Sequence, residues 1–404
     1  LICFFKMKNL EEINLMKIAK DLFPINRSIT GKGVVDTLKY IKKIFSDLKI
    51  KKIPSGTKVF DWKIPKEWIV NEAYIKDFNG KEIINFKKNN LHLMGYSHSI
   101  NKILTLQELK PHLHSIKKQP NAIPYVTSYY KKNWGFCVTD NFKRKLKKGK
   151  YKIFIDSKFK KGNLTYGEYF IKGKTKQEIL YSTNICHPSM ANNELSGILV
   201  LISIISKILK INKPFFSYRF LFLPETIGSI AYLSKQYKYL QKNVIAGYVL
   251  SCIGDKGNFS FIPTRYENTL SDKIALYVLK NNTKQFNHFS YLDRGSDERQ
   301  FNSPKINLPV CSILRTKYGN YPEYHTSLDN LDIISNKTLN ESSSLIYKII
   351  EILEINKIYI NKIFCEPFLT KYNLYPTVSS KNHLFKNSQL ILDILSYCDG
   401  KNDL

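Results

Sequence analysis

From residue 164 onward, apolar runs with strand character alternate with runs long enough to be helices, and this alternation most constrains the fold. EYFIKG, EILYSTNI, YRFLFLPE, VIAGYVLSCIGD and NLPVCSILR carry the β-branched and aromatic residues of strands. ELSGILVLISIISKIL, IGSIAYLSKQY, DKIALYVLKNN and KTLNESSSLIYKIIEILEI read as the helices between and after them. Such a rhythm predicts an α/β domain with a mostly parallel sheet covered by helices on both faces.

The rest of the chain departs from that rhythm. Residues 8–48 have helical periodicity broken by FPINRSITGKG, where Ser28 or Thr30 is expected to cap the helix through VVDTLKYIKKIF. Between 57 and 150, short β-prone runs (KVFDWKI, EWIVNEAYI, YKIFID) sit among Pro, Gly and Asn turns and predict an inserted β-rich module. ILTLQELKPHLHSI is its one helix-prone stretch. After 366, EPFLTKYNLYPTV leads into a helix through SQLILDILSYCDGKNDL, and the sequence stops at Leu404 where a further helix is expected. The expected division is a discontinuous core at 7–57 and 151–365, an insert at 58–150 and a tail at 366–404.

Composition narrows the class. An apolar fraction of 43% with 13% aromatics supports a real core. The net charge of +30 comes from 56 lysines against 7 arginines, scattered apart from short clusters at 143–150 and 158–161. We read it as a solvated basic surface, which argues against nucleic acid as a dedicated partner. Seven cysteines without a CxxC pair argue against a disulfide framework. LICFFK is too short for a signal segment, so Met7 is the expected start. No apolar run approaches the ~20 residues that cross a bilayer, and the expected location is cytoplasmic, with no membrane partner and room for a homo-oligomer.

Four polar clusters stand at the ends of apolar segments: His187 in NICHPSMANNELSG, Glu225 in FLFLPET, Asp297 in RGSDERQF and His325 in EYHTSLDN. In open α/β sheets ligands bind beyond the carboxyl ends of the strands, and two histidines with carboxylates there are a metal-hydrolase donor set. Each residue alone has a structural reading too: a turn cap, a helix-start acceptor, turn chemistry or a loop histidine. Their joint order is more specific. A second signal is arginine. Arg294, Arg299 and Arg315 fall within 22 residues, in a chain that otherwise uses lysine. They read either as bidentate donors to an anionic substrate or as ion-pair partners of nearby acids. Tyr318, Tyr321 and Tyr324 line the same stretch, as pocket wall or as loop packing.

The order His, A-N-[ND]-x-x-S-G, strand-end Glu, S-D-x-x-x-F, H-T-x-x-D resembles the co-catalytic zinc aminopeptidases of the bacterial leucyl aminopeptidase type. LFPINRSITGKG, PSGTKVFDW, CHPSMANNELSG, GSDERQF, YGNYPEYHTSLDN and CEPFLTKYNLYPT resemble more closely one aminopeptidase-like subgroup. That subgroup carries an insert of unknown function and a C-terminal winged helix, and is often linked to polysaccharide biosynthesis. The resemblance covers nearly the whole chain. It implies a three-layer, phosphorylase/hydrolase-like core and a hydrolase that cleaves an amide in a small peptide or amide-containing substrate.

Residue by residue, the resemblance makes His187, Asp297 and His325 metal ligands and Glu225 the general base for a zinc-activated water. Arg294, Arg299, Arg315, Tyr318 and Tyr324 are the candidate substrate contacts. Two departures stand out. Asn193 falls where a carboxylate bridging two zincs is expected, with Glu194 beside it as a substitute, and Thr226 stands where a second glutamate ligand is usual. One Zn2+ rather than two is therefore expected. The alternatives are a non-catalytic metal-binding or scaffold protein and, on charge and tail alone, a nucleic-acid-binding regulator.

Overall fold

The computed structural model describes residues 13–356, 358–374 and 383–401; the expected start at Met7 lies outside them. Two compact units divide the chain, residues 1–349 and 350–404. In the first, α1 (Leu15–Leu22) and α2 (Lys32–Ile44) precede β1 (Lys49–Pro54). The insert contributes β2 (Glu67–Lys76), β3 (Glu82–Asn85), β4 (Ile100–Thr105) and β5 (Lys150–Lys160). The core continues as β6 (Asn163–Ile171), β7 (Glu178–Asn184), α3 (Ser196–Ile208), β8 (Ser217–Leu223), α4 (Ile227–Asn243) and β9 (Val244–Leu250). Then come β10 (Phe259–Ile262), α5 (Leu270–Asn282), β11 (Phe286–His288), β12 (Val310–Leu314) and α6 (Asn336–Ile355).

Eight strands form the core sheet in the order β1-β6-β8-β7-β9-β12-β10-β11. The central four, β8-β7-β9-β12, pair parallel. Antiparallel pairs flank them, β1 with β6 and β6 with β8 on one side and β12 with β10 on the other. Every residue of β7, β8 and β12 is buried, so these strands are mainly apolar without strict alternation, and the charged pair they bury, Arg219 with Glu178, is mutually neutralised. The most apolar helix, α3, has eleven of its thirteen residues buried. Its composition is that of a core helix laid on the sheet. The approach is close at Gly197, where a Cβ would meet the Leu250 carbonyl oxygen at 2.4 Å. Only glycine fits there, and it sets the loop before α3 against the end of β9.

The insert is an antiparallel sheet in the order β3-β2-β5-β4. Its strand β5, which contains YKIFID, runs to Lys160, ten residues past the boundary expected at 150, and pairing of β2 with β5 continues to Glu67 opposite Lys160. The helix expected in ILTLQELKPHLHSI shrinks to Leu106–Leu109 behind a Thr105–Glu108 capping box. Ile100–Thr105 pairs with β5 instead, and Pro111 blocks a longer helix. Capping of α2 also differs from expectation. The helix starts from Gly31 (φ 99) with no side-chain cap, and the Thr30 hydroxyl meets the Tyr96 hydroxyl at 2.5 Å and accepts from the Trp68 amide. The cap residue has become a tie between core and insert. The second unit holds a short turn of helix at Leu369–Tyr372, α7 (His383–Tyr397) and a bridge between Ile360 and Asp399.

Candidate active site

Parallel pairing of β7 with β8 ends with Asn184 opposite Leu223, and the Ile185 amide continues it by donating to the Leu223 carbonyl. His187 and Glu225 therefore leave adjacent strand ends together. The Glu225 amide donates to Cys186 Sγ at 3.2 Å, and Glu225 Oε2 lies 3.6 Å from His187 Nε2. The other oxygen of Glu225 accepts from the Ser296 hydroxyl at 2.6 Å, which in turn accepts from Asn184 Nδ2. One oxygen of Glu225 is thus anchored and the other faces the histidine.

Glu194 sets the direction of that histidine. Its carboxylate accepts from His187 Nδ1 at 3.0 Å, from the His187 amide at 2.5 Å and from the Cys186 amide. Arg27 Nε donates to its other oxygen at 2.8 Å and also to the His187 carbonyl at 2.9 Å. A carboxylate on Nδ1 would orient a neutral ring with its lone pair on Nε2, as is usual for metal-bound histidines; when no ion is bound, and against the effect of burial, Cys186 and Glu194 hold the ring's pKa well above its ordinary value.

His325 lies in the loop after β12, which is parallel to β7 and separated from it in the sheet by β9. Its carbonyl accepts from the Tyr125 amide of the insert at 2.8 Å, and its ring stacks on Tyr324 with centroids 3.9 Å apart. The two histidine rings are 5.3 Å apart. His325 Nε2 is buried and has no hydrogen-bond partner. Burial, and then the neighbouring His187, push its pKa down to about 3, so the ring is neutral and carries a lone pair. Asp329, four residues on, accepts from the amides of Ala191, Asn192 and Asn193 at 3.0, 2.6 and 2.9 Å and from the Tyr321 hydroxyl at 3.0 Å. It locks the loop carrying Asn193 and Glu194 to the loop carrying His325. Burial raises its pKa to about 6 against the pull of those donors.

Backbone strain gathers at the same place. Ser189 (φ 46), Glu194 (φ 157), Thr226 (φ 63), Cys252 (φ 46) and His325 (φ 55) are all non-glycine residues at positive φ. Such conformations cost about 1–3 kcal/mol each and persist where surrounding bonds over-determine them.

The residues singled out from the sequence fall into two groups. His187, His325, Glu225 and Tyr324 come together. Glu194 lies against His187, and its oxygens accept from Arg27, His187 Nδ1 and two amides. Asn193 Oδ1 accepts from the Cys252 thiol at 3.5 Å, and its position as a bridge is not filled by a charged atom. Asp297 spends Oδ1 on the Thr226 amide (2.7 Å) and the Ser229 hydroxyl (2.8 Å) at the start of α4. Its Oδ2 is buried without a partner. Burial first, and then the Glu225 charge, raise the Asp297 pKa to about 7.

Arg315 is structural: it donates to Ser342, Gly257 and Thr338 and pairs with Glu341 at 2.6 Å. Arg294 lies over Tyr291, and Tyr318 donates to Glu298 at 2.8 Å. Arg299 donates to the Thr226 hydroxyl at 2.7 Å. Residues given no role from the sequence are Arg27, Asp329 (present there as the D of H-T-x-x-D) and an aromatic wall from the insert.

That wall encloses a cavity of about 370 Å³ lined by Ile29, Trp62, Tyr125, Thr127, Tyr129 and Tyr130 on one side and by Cys186, His187, Glu225, Thr226, Ile227 and His325 on the other. No lysine or arginine is in the lining, although the chain carries 63 of them. The residues present suit one cation. His187 and His325, with ring centroids 5.3 Å apart, would offer it ring nitrogens, that of His325 buried without a partner; Asp297 Oδ2 is also buried without a partner, but Asp297 does not line the cavity. Cys186, His187 and Glu194 have donor atoms within 4.8 Å of one another. However, Glu194 is saturated, and burial pushes the Cys186 thiol up to about 11. A second ion finds an amide at Asn193 and a hydroxyl at Thr226.

Residues 16–356 match a family described as a domain of unknown function (DUF4910), and residues 357–404 match a winged helix-turn-helix. A Clostridium acetobutylicum protein, provisionally described as a polysaccharide biosynthesis protein with aminopeptidase-like domain, is 44% identical over 391 residues, 96% of this chain and 89% of that protein. The chain belongs to this aminopeptidase-like family. A crystal structure from the same organism, provisionally described as a peptidase, is 42% identical with a TM-score of 0.87 over 96% of this chain and 88% of that one. A zinc aminopeptidase from Bacillus subtilis superposes with a TM-score of 0.59 at 12% identity over 84% of this chain and 94% of that one, a likeness of fold. The core is thus the zinc-peptidase type of α/β fold that the sequence motifs imply.

Proposed function

We propose that this chain is a zinc-dependent hydrolase of aminopeptidase type that cleaves an amide bond. The observation that carries the reading is the free oxygen of Glu225, 3.6 Å from His187 Nε2, in a cavity shared with His325. Bound there, a zinc ion supplies a Lewis acid and a water that ionises near pH 7. His187 and His325 would hold it, with Asp297, the carboxylate at the motif position, as the expected third ligand. Glu225 takes a proton from the attacking water and delivers it to the departing amide nitrogen. The products are a carboxylic acid and an amine, and the carboxylate is regenerated.

One ion is the stoichiometry we expect. Mass spectrometric metal analysis of the zinc-loaded, dialysed protein should find one zinc per chain, and none in a His187→Ala, His325→Ala double variant. Two tightly bound ions per chain would overturn the single-metal reading. The uncharged Asn193 and Thr226 favour a second reading, a metal-binding protein without turnover. That reading gains if the zinc-loaded protein leaves a broad panel of amino-acid 4-nitroanilides uncleaved.

For substrate class, the lining argues against the anionic preference that clustered arginines suggested. It offers aromatic faces and one carboxylate, which suit a neutral ring or a cationic amine. Trp62 and Tyr130 meet edge to face at 6.1 Å, and each keeps exposed ring, 42% and 56%. Trp62→Ala should raise KM for an aromatic amino-acid amide about tenfold, a loss of about 1.4 kcal/mol, with little change for an alanyl amide. An equal effect on both substrates would remove the wall from specificity. The relative's description sets that protein in polysaccharide biosynthesis, and we take the same setting as the source of this chain's amide substrate.

A further inference from the structure

Thr226 stands next to Glu225 on the cavity wall, and its hydroxyl is in an unusual situation. It is the N-cap of α4, a helix of 17 residues, yet makes no capping bond. Threonine at that position ordinarily accepts from a first-turn amide, a contact worth about 1 kcal/mol. Its φ of 63 is an outlier for a β-branched side chain. Asp297 holds the strained amide at 2.7 Å, so the conformation is enforced from outside the helix. Stability alone accounts for neither the strain nor the forgone cap.

The hydroxyl goes to Arg299 instead, accepting from Nη2 at 2.7 Å. Among the described residues no carboxylate lies within ion-pair distance of this guanidinium, as is also the case for Arg265 and Arg294, whereas Arg27, Arg144, Arg219 and Arg315 all have one. Arg299 Nε is buried without a partner. A half-buried positive charge without a counter-ion is costly, and this one is aimed at the oxygen of a residue that lines the cavity. A hydroxyl whose oxygen accepts from a guanidinium keeps its own proton for another acceptor and becomes a stronger donor. The positive end of the α4 dipole adds to the same field.

We infer that the Thr226 hydroxyl, polarised by Arg299, donates a hydrogen bond to the carbonyl oxygen of the substrate as negative charge builds on it. The inference rests on the hydrolase reading. When the water oxygen bonds to the carbonyl carbon, the π pair of the C=O bond moves onto oxygen, and Thr226 meets that oxygen without giving up its proton. Arg299 is a positioning residue and touches no substrate atom. The pair puts a fixed cation beside the position where Thr226 replaces a metal-binding carboxylate.

The test uses the full zinc-loaded chain, phenylalanine 4-nitroanilide as substrate, and calorimetric binding of phenylalaninamide and of the phosphonic acid analogue of phenylalanine. The phosphonate is tetrahedral and anionic and mimics the charge-bearing oxygen. Thr226→Val should lower kcat by about 10²-fold, the scale of losing one oxyanion donor, with KM nearly unchanged. Phosphonate affinity should fall by a similar factor and phenylalaninamide affinity should hold. Thr226→Ser should recover most of both losses, and Arg299→Met should show the same split at about tenfold. A Thr226→Val enzyme that keeps its kcat, or that loses amide and phosphonate affinity alike, overturns the assignment. A wild type that turns nothing over but shows the Thr226-dependent phosphonate preference sinks the hydrolase reading and supports the donor.

Discussion

Glu225→Gln is expected to lower kcat on the order of 10²- to 10⁴-fold, the span that a positioned acid–base group contributes, while the zinc content stays at the wild-type level. The substitution is nearly isosteric. Glutamine can still accept from the Ser296 hydroxyl, which now bonds Glu225 Oε1 at 2.6 Å, so the side chain keeps its placement. What is lost is the basicity of the oxygen 3.6 Å from His187 Nε2. Steady-state kinetics and metal analysis on the same preparation separate the possible roles. Lost turnover with retained zinc is the signature of a proton carrier, whereas lost zinc makes Glu225 a ligand. Unchanged kcat removes it from the chemistry.

The juxtaposition behind that prediction was legible in the sequence because it depends on strand ends. EILYSTNI and FLFLP are β-prone runs without a polar, solvent-facing alternation, as strands buried on both faces are, and the strands they form end at Asn184 and Leu223, which pair in parallel register. Any polar group following them enters one crevice. His187, Glu225 and His325 were found on that logic. Which oxygen remains free on a neighbouring acid was not legible. Glu194 and Asp297 both lie in motif positions, but Arg27, 167 residues from Glu194, and the Thr226 amide, 71 residues from Asp297, decide what their carboxylates do.

Loops explain the other omissions. Tyr125, Tyr129 and Tyr130 lie in connections and Trp62 in a two-residue strand, Trp62–Lys63, where no periodicity marks which side faces inward, so the insert read as a β module without chemistry. The insert's register likewise hid in its pairing: Ile100–Thr105 has a helix-like neighbourhood in the sequence but joins β5 along its whole length. Arginine scarcity was a useful signal read in part. It led to Arg299, whose guanidinium has no acid partner. It also led to Arg315, which has Glu341, and it passed over Arg27, the arginine with the deepest burial, at 1% exposure.

Arg27→Met should destabilise the protein by about 3–5 kcal/mol, the cost of leaving one member of a buried ion pair alone. Both side chains of the Arg27–Glu194 pair have no exposed surface, so water cannot replace the lost partner. Glu194 would keep its bonds to His187 Nδ1 and two amides but carry an uncompensated charge beneath the cavity. Its backbone, at φ 157, would lose the Arg27 bonds to the Glu194 carboxylate and to the His187 carbonyl, and without that anchor the loop can relax and His187 turn.

The substitution should therefore act twice: the denaturant midpoint falls at constant m-value, and zinc affinity weakens about 10- to 100-fold, as for other groups that orient a ligating histidine. Glu194→Gln separates the two effects. It keeps an acceptor for Nδ1 but removes the charge, so affinity should fall less than stability does. Urea unfolding of the zinc-free protein reads the first effect and competitive zinc titration the second. An Arg27→Met protein within about 1 kcal/mol of wild type, well below the range for a broken buried pair, would mean that Glu194 is not held by charge and that the strained loop is stable on its Asp329 bonds alone.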